Sequence, residues 1–265
     1  MHVPKLEDQM KKPIVIIGIG ELAVVFSQGL LRCGYPVYPI IRSMDLAEEY
    51  KQIPSPELVL IMVQESELHA LLRKLPEDWR QKVGLVQNEL LPRDWLSHRI
   101  KEPTVTIVWF EKKKQQLLSN ILYSPSFGPK AEIISQALQA VEIPAPILEN
   151  EEQLLYELLR KALYILTVNI AGLVDNCTVG DLWNKNQSLA KEIAGEVILV
   201  QEKMTGKQLP YERLINGMAE GINDCPHRHC LGRSAMSRLE RILAYAQEAN
   251  IKTPKLLEIY TRATA

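Results

Sequence analysis

Short apolar runs and amphipathic stretches alternate through the first half of the chain. Ile14–Ile17 is a β-branched run that stops at Gly18, after which Leu22, Val25, Phe26, Leu30 and Leu31 recur at helical spacing. This order predicts strand, tight turn and helix. Gly34 ends that helix, and residues 37–41 predict a second strand that finishes at Arg42. Residues 58–63 are almost continuously apolar, as expected of a strand covered by helices on both faces of a parallel sheet. A polar helix through Leu68, Leu71, Leu72 and Leu75 follows, then strands at 83–86 and 105–110. The alternation predicts an α/β, doubly wound sheet that takes up ligands beyond its C-terminal strand ends, in the loops after 17, 41, 63 and 86.

The period then changes. A helix through Ile133, Ile134, Ala137, Leu138 and Val141 runs into Pro144-Ala145-Pro146, which marks a domain edge. From Glu151 onward the pattern is helical, beginning with Leu154, Leu155, Leu158, Leu159, Leu163 and Leu166 and continuing near 187–203, 211–221, 233–249 and 255–262. The expected domains are 1–148, doubly wound, and 149–265, all-helical. Helices this apolar must pack on one another or on a partner. A homodimer fits, although the pattern does not separate an interface stripe from an internal one.

Composition narrows the function. The 265 residues are 46% hydrophobic and 24% charged, and 31 basic side chains against 32 acidic ones leave a formal charge of -1. No global field attracts nucleic acid or acidic membranes. Lys112, Lys113 and Lys114 form the compact basic run, without the interleaved aromatics on which single strands stack, and read as a solvated turn or helix start. The N-terminal MHVPKLEDQMKK lacks an apolar signal core. The apolar stretch 162–174 is only thirteen residues long and contains Tyr164, Thr167 and Asn169, too short to span a bilayer. Cysteines at 33, 177, 225 and 230 are too irregular for a disulfide scaffold. A cytoplasmic protein is expected.

Residues 14–23, IVIIGIGELA, carry the strand, turn and helix order of a Rossmann-type dinucleotide fingerprint with alanine in the third glycine position. Gly18 permits the tight turn, Gly20 lets the backbone approach a pyrophosphate, and Ala23 permits close helix–sheet contact, with Leu22 beside it in the first turn. The N–H groups of that turn suit phosphates. Glu21 counts against this unless its carboxylate points away, and glycine turns kept for packing are the alternative. Arg42 stands where the adenosine ribose would lie, and its fork of donors suits a 2′-phosphate, which favours NADP(H) over NAD. A solvated arginine at a strand end is the alternative. Gln64, Gln87 and Asn88 follow the third and fourth strands, where their amides either converge near a nicotinamide or satisfy nearby backbone groups.

In the helical half, Lys161 and Asn169 are eight residues apart, roughly 80° around an ideal helix, so both can face one cleft. A cleft lysine with a tuned pKa can protonate a carbonyl oxygen as hydride arrives. A snorkelling surface lysine fits the same spacing. Cys225, His227, His229 and Cys230 crowd soft and imidazole donors onto one Pro226-containing segment, a poor geometry for a tetrahedral metal, so no metal site is assigned.

Leu159-Arg160-Lys161, Asn169 and Gly180-Asp181-Leu182, with the fingerprint, Arg42 and the closing stretch from Ala246 to Pro254, Leu257 and Tyr260, resemble the ketopantoate reductase family, in the broad 6-phosphogluconate-dehydrogenase-like group. The resemblance covers most of the chain. It implies reduction of a 2-oxo acid to a 2-hydroxy acid by NADPH, with Lys161 as proton donor, Asn169 as substrate ligand and Asn88 near the nicotinamide. The chain departs from the family at four places. Gln64 replaces a lysine, Glu89 a glycine and Ile165 an asparagine, and Ser234 falls near a functional glutamate, a role not transferred to Glu240. A different oxo substrate, or a degenerate, non-catalytic NADP(H)-binding or interaction protein, is therefore the alternative to ketopantoate reduction.

Overall fold

A computed structural model describes residues 11–112 and 118–265, so the first ten residues and Lys113 and Lys114 of the basic run lie outside the described residues. The chain runs β1 (Ile14–Ile17), α1 (Glu21–Arg32), β2 (Val37–Ile40), α2 (Leu46–Gln52), β3 (Leu58–Ile61), α3 (Glu65–Lys74), α4 (Glu77–Arg80), β4 (Val83–Leu85), α5 (Pro92–Leu96) and β5 (Thr104–Thr106). The short strands β6 (Phe110–Glu111), β7 (Ser119–Asn120) and β8 (Ser126–Phe127) precede α6 (Ala131–Gln139). Helices then follow: α7 (Glu151–Ala171), α8 (Val179–Lys185), α9 (Gln187–Thr205), α10 (Tyr211–Asp224), α11 (Ala235–Glu248) and α12 (Pro254–Thr264).

The main sheet has the order β2-β1-β3-β4-β5-β8, parallel except for β8 at its edge. Its central strands are buried on both faces because their side chains alternate between two cores. Val15, Ile17, Val59 and Ile61 pack with Leu68, Leu72 and Trp79 on one face, in a core continuous with the helical half. Ile14, Ile16, Leu58 and Leu60 pack with Phe26, Leu30, Ile134 and Leu138 of α1 and α6 on the other. Gly29 sets the approach of those two helices, since a Cβ there would stand 2.0 Å from the Ala137 carbonyl oxygen. The expected α/β fold class is the observed one.

The strand expected at 105–110 is broken. In the register of β5 with β8, Val105 faces Phe127 and Thr106 faces Ser126, which brings Ile107 opposite Pro125. Ile107 N–H donates to the Pro125 carbonyl at 2.9 Å, but proline has no N–H to return. The ladder stops there, and the Trp109 N–H is satisfied by Ser124 Oγ at 2.9 Å. Phe110 and Glu111 then pair with β7 in a separate two-stranded sheet. This break places the Trp109 indole, which is fully buried, against the helical half. The other strands end earlier than expected, at Ile40, Ile61 and Leu85.

Among the described residues no strand follows β8, and α7 is the central helix, packed on α9, α10 and α11. Asn150 caps it by accepting from Gln153 N–H at 3.0 Å, and Gly172 ends it against the backbone of Cys230 and Leu231. Helix α8, not expected from the pattern, is a seven-residue turn of chain capped by Thr178 Oγ1. Among the described residues no helix is long and apolar enough to cross a membrane.

Candidate active site

At the C-terminal end of β1 the backbone turns at Gly18, whose φ of +95° and a Cβ position 2.9 Å from the Met62 carbonyl oxygen exclude other residues. Gly20 is the N-cap of α1, and nothing lies within 4 Å of where its Cβ would be. No side chain caps the helix, which leaves its first-turn N–H groups for an anion. Leu22 is half-buried beside them, while Ala23 is fully buried and packs on the sheet. Arg42 lies exposed beyond β2, where Glu67 of α3 pairs with its guanidinium.

The loops after β3 and β4 hold a charged network. Gln64 is exposed at the N-cap of α3 and makes no capping bond, so it does not join Gln87. Gln87 is structural: its Nε2 donates to the carbonyls of Ile61 and Val63 at 2.9 and 3.2 Å, tying the two strand ends together. Asn88 donates from its backbone N–H and Nδ2 to Glu65 Oε1 at 3.2 and 3.3 Å. Burial pushes the Glu65 carboxyl up, but Arg238 and the surrounding amide donors outweigh it and hold it below the usual range.

Glu89 is gripped from α11. Arg238 Nε donates to its Oε1 at 3.0 Å, and Arg241 donates through Nε and Nη2 to both oxygens at 3.0 and 2.6 Å. Burial raises the Glu89 pKa, with Glu65 adding to it, beyond what the two arginines recover. Burial also works against the Arg241 cation, and Glu89 overrides it. The bidentate geometry is that of a strong charge-assisted contact.

Lys161 is not a snorkelling lysine. It is 5% exposed, and its Nζ sits 4.3 Å from the centroid of the Trp109 ring and 5.7 Å from that of Tyr164. Among the described residues Nζ donates no hydrogen bond. Burial brings its pKa down to about 7, with Arg228 and Arg238 acting in the same direction and Glu111 and Glu65 opposing them. Tyr164, its ring tilted by 55° against Trp109 with centroids 5.2 Å apart, is pushed by burial up to about 12 and stays a phenol. Asn169, two turns further along α7, is 4% exposed and fully engaged: its Nδ2 donates to the Cys230 carbonyl at 3.1 Å and its Oδ1 accepts from Arg238 Nη1 at 2.7 Å.

Arg238 therefore joins Asn169 to Glu89, and Lys161 feels the charges of Arg228, Arg238, Glu111 and Glu65. Sequence reasoning missed Trp109, Arg228, Arg238 and Arg241. For the last two a signal existed, a pair of arginines at i and i+3 on an amphipathic helix, but their target is 149 and 152 residues away. Ser234, near the family's glutamate, is the N-cap of α11 and makes no side-chain cap bond. In the Cys/His segment the Cys177 and Cys230 sulfurs are 3.7 Å apart. Among the described residues no group of three or more His, Cys, Asp or Glu is arranged to hold a metal.

A sheet of this order, with an open glycine turn and an attached helical bundle, defines the general class as a Rossmann-type α/β fold joined to a helical part. More particularly, the fold is that of the ketopantoate reductases. The chain is similar to a PanE/ApbA family ketopantoate reductase from Ralstonia eutropha, with a TM-score of 0.67, 12% identity, and 95% of this chain and 97% of that one covered. It is similar to a dimeric ketopantoate reductase from Staphylococcus aureus, with a TM-score of 0.64, 17% identity, and 95% and 99% covered. It is also similar to D-mandelate dehydrogenase in complex with NADH, with a TM-score of 0.65, 14% identity, and 95% and 97% covered. No protein-family model matches the chain, and no curated protein matches it.

Proposed function

We propose that the chain is a nicotinamide-dependent reductase that converts a small 2-oxo acid into a 2-hydroxy acid. The observation that carries this reading is Lys161, buried over Trp109 with a near-neutral pKa and no hydrogen-bond acceptor among the described residues. Residues 1–148 are assigned to the cofactor and 149–265 to the substrate. The open turn at Gly20 and the uncapped start of α1 fit a pyrophosphate. Gly18, Gly20 and Leu22 would line it, with Ala23 holding the helix close to the sheet. Arg42 would take a 2′-phosphate, and Gln64 and Asn88 would flank the nicotinamide side. When bound, the dinucleotide supplies hydride. Lys161 holds a proton at Nζ and delivers it to the carbonyl oxygen as the C=O π bond opens, then regains one from solvent. Arg238 keeps the Asn169 amide in place beside it.

NADPH is the proposed cofactor. The Arg42–Glu67 pair is exposed on both sides and is worth little, so a phosphate can displace it. Arg42→Ala is expected to abolish a preference for NADPH over NADH measured by calorimetry, and Glu67→Gln to strengthen NADPH binding a few-fold. Equal affinities in the unmodified protein would remove the assignment. The neighbour described as dimeric supports a homodimer, and a concentration-independent monomer mass in sedimentation would reject it.

A second reading, NADP(H) binding without turnover, is favoured by a specific observation: both ends of the Asn169 amide are already bonded, and the Glu89 side chain occupies the position after Asn88. A panel of 2-oxo acids, with NADPH oxidation followed optically, separates the two. Turnover of any member supports the reductase. Tight NADPH binding with an inactive panel supports the second reading.

A further inference from the structure

Two buried donors near Lys161 have no acceptor. Among the described residues Trp109 Nε1 and Arg228 Nη1 lack a hydrogen-bond partner, although each atom is buried. Leaving such groups unpaired costs free energy that a partner would recover. Their placement is not accidental to the site. Arg228 is fixed through its other terminal nitrogen, Nη2, which donates to Glu111 Oε2 at 2.6 Å in β6, two residues beyond Trp109. The Trp109 ring is held over Lys161 and Tyr164, with its Cζ3 and Cη2 edge against Gly221 of α10. On an indole that edge is opposite Nε1, so the N–H is directed away from α10. Arg228 is the charge that acts most strongly on Lys161. Glu111, bonded to Nη2, is the carboxylate beside Arg228 and also acts on Lys161, yet the Trp109 and Arg228 N–H donors stay unpaired.

We propose that Trp109 Nε1 and Arg228 Nη1 form the subsite for the carboxylate of a 2-oxo acid, making Arg228 the residue that selects acids over neutral carbonyl compounds. The assignment rests on the reductase reading for the identity of the ligand, and on the unpaired donors for the site itself. In a 2-oxo acid the carboxylate is one bond from the carbonyl carbon. A carboxylate accepting from Trp109 and Arg228 therefore leaves the adjacent carbonyl oxygen for Lys161 Nζ. The arrangement uses a charged donor for strength and a rigid neutral donor for direction.

The test is calorimetric titration of the full-length protein, with and without NADP⁺, using 2-oxopentanoate and its methyl ester as probes. The acid is expected to bind more tightly than the ester. Arg228→Met should reduce that acid-to-ester ratio by roughly 10- to 100-fold, the loss of a hydrogen bond to a charged group, and Trp109→Phe by about 5-fold. Arg228→Lys, which keeps the charge and the contact with Glu111, should recover part of the ratio and guards against misfolding. A ratio unchanged in Arg228→Met, or no preference for the acid in the unmodified protein, overturns the subsite. Acid binding without turnover leaves the subsite standing and removes the reductase. Turnover with an unaltered ratio in Arg228→Met does the reverse.

Discussion

Lys161 shows how one residue sets stability against chemistry. An ammonium held out of water with no hydrogen-bond acceptor among the described residues is unfavourable, and the protein answers by lowering its pKa to about 7. In the unfolded chain the same lysine keeps its proton up to its ordinary pKa. Between pH 7 and that value the unfolded state binds more protons than the folded one, so stability rises with pH across this window, and the full cost is present below pH 7. Lys161→Met removes the cost. It is expected to raise the unfolding free energy at pH 6 by several kcal/mol and to make stability flatter between pH 7 and 10, read by denaturant titration. A destabilised variant with an unchanged pH slope would show that the ammonium is paired or hydrated in the native protein. The choice between a buried and a snorkelling lysine was not legible in its neighbours along α7, because Trp109 and Tyr164 close over it only in the folded chain.

Among the elements, β1 and α1 were the most legible, since the turn at Gly18 and the packing of Ala23 are written into ten consecutive residues. The break after β5 was not. Residues 104–110 are buried throughout and read as one strand, and only the register with β8 brings Pro125 opposite Ile107. Helix α11 was placed by its periodicity, whereas its role as a clamp depends on Glu89 in a distant loop. That clamp is the chief ionic contact between α11 and the loop after β4. Glu89→Ala leaves two largely buried guanidiniums without their carboxylate and is expected to lower the unfolding free energy by about 2–4 kcal/mol, less than for a fully buried pair because Arg241 retains some exposure. An unchanged denaturant midpoint would mean that the clamp contributes nothing net. The same substitution is expected to loosen Arg238 and hence Asn169, and a changed amide environment for Asn169 by NMR would report it.

On the scale of the whole molecule, the alternation of strands and helices in the first half and the helical period in the second were enough to anticipate the fold shared with the ketopantoate reductases. The cleft was legible only in part. Lys161 and Asn169 are legible from their spacing on one helix and from the resemblance, and the structure brings both to Arg238, one by field and one by hydrogen bond. Glu65, Glu89, Arg238 and Arg241 come together from loops and a helix far apart in sequence, and no local signal announces such a set. Proton donation by Lys161 is the central step of the proposed reduction. The most direct measurement is the pH dependence of kcat/KM for NADPH-driven reduction of the best 2-oxo acid, compared between the unmodified protein and Lys161→Met. Because kcat/KM reports the free protein, it is predicted to fall as pH rises through about 7, where Lys161 loses its proton, and to drop by roughly 10²-fold or more in the variant. A flat profile across that range, or near-normal turnover in Lys161→Met, would contradict it.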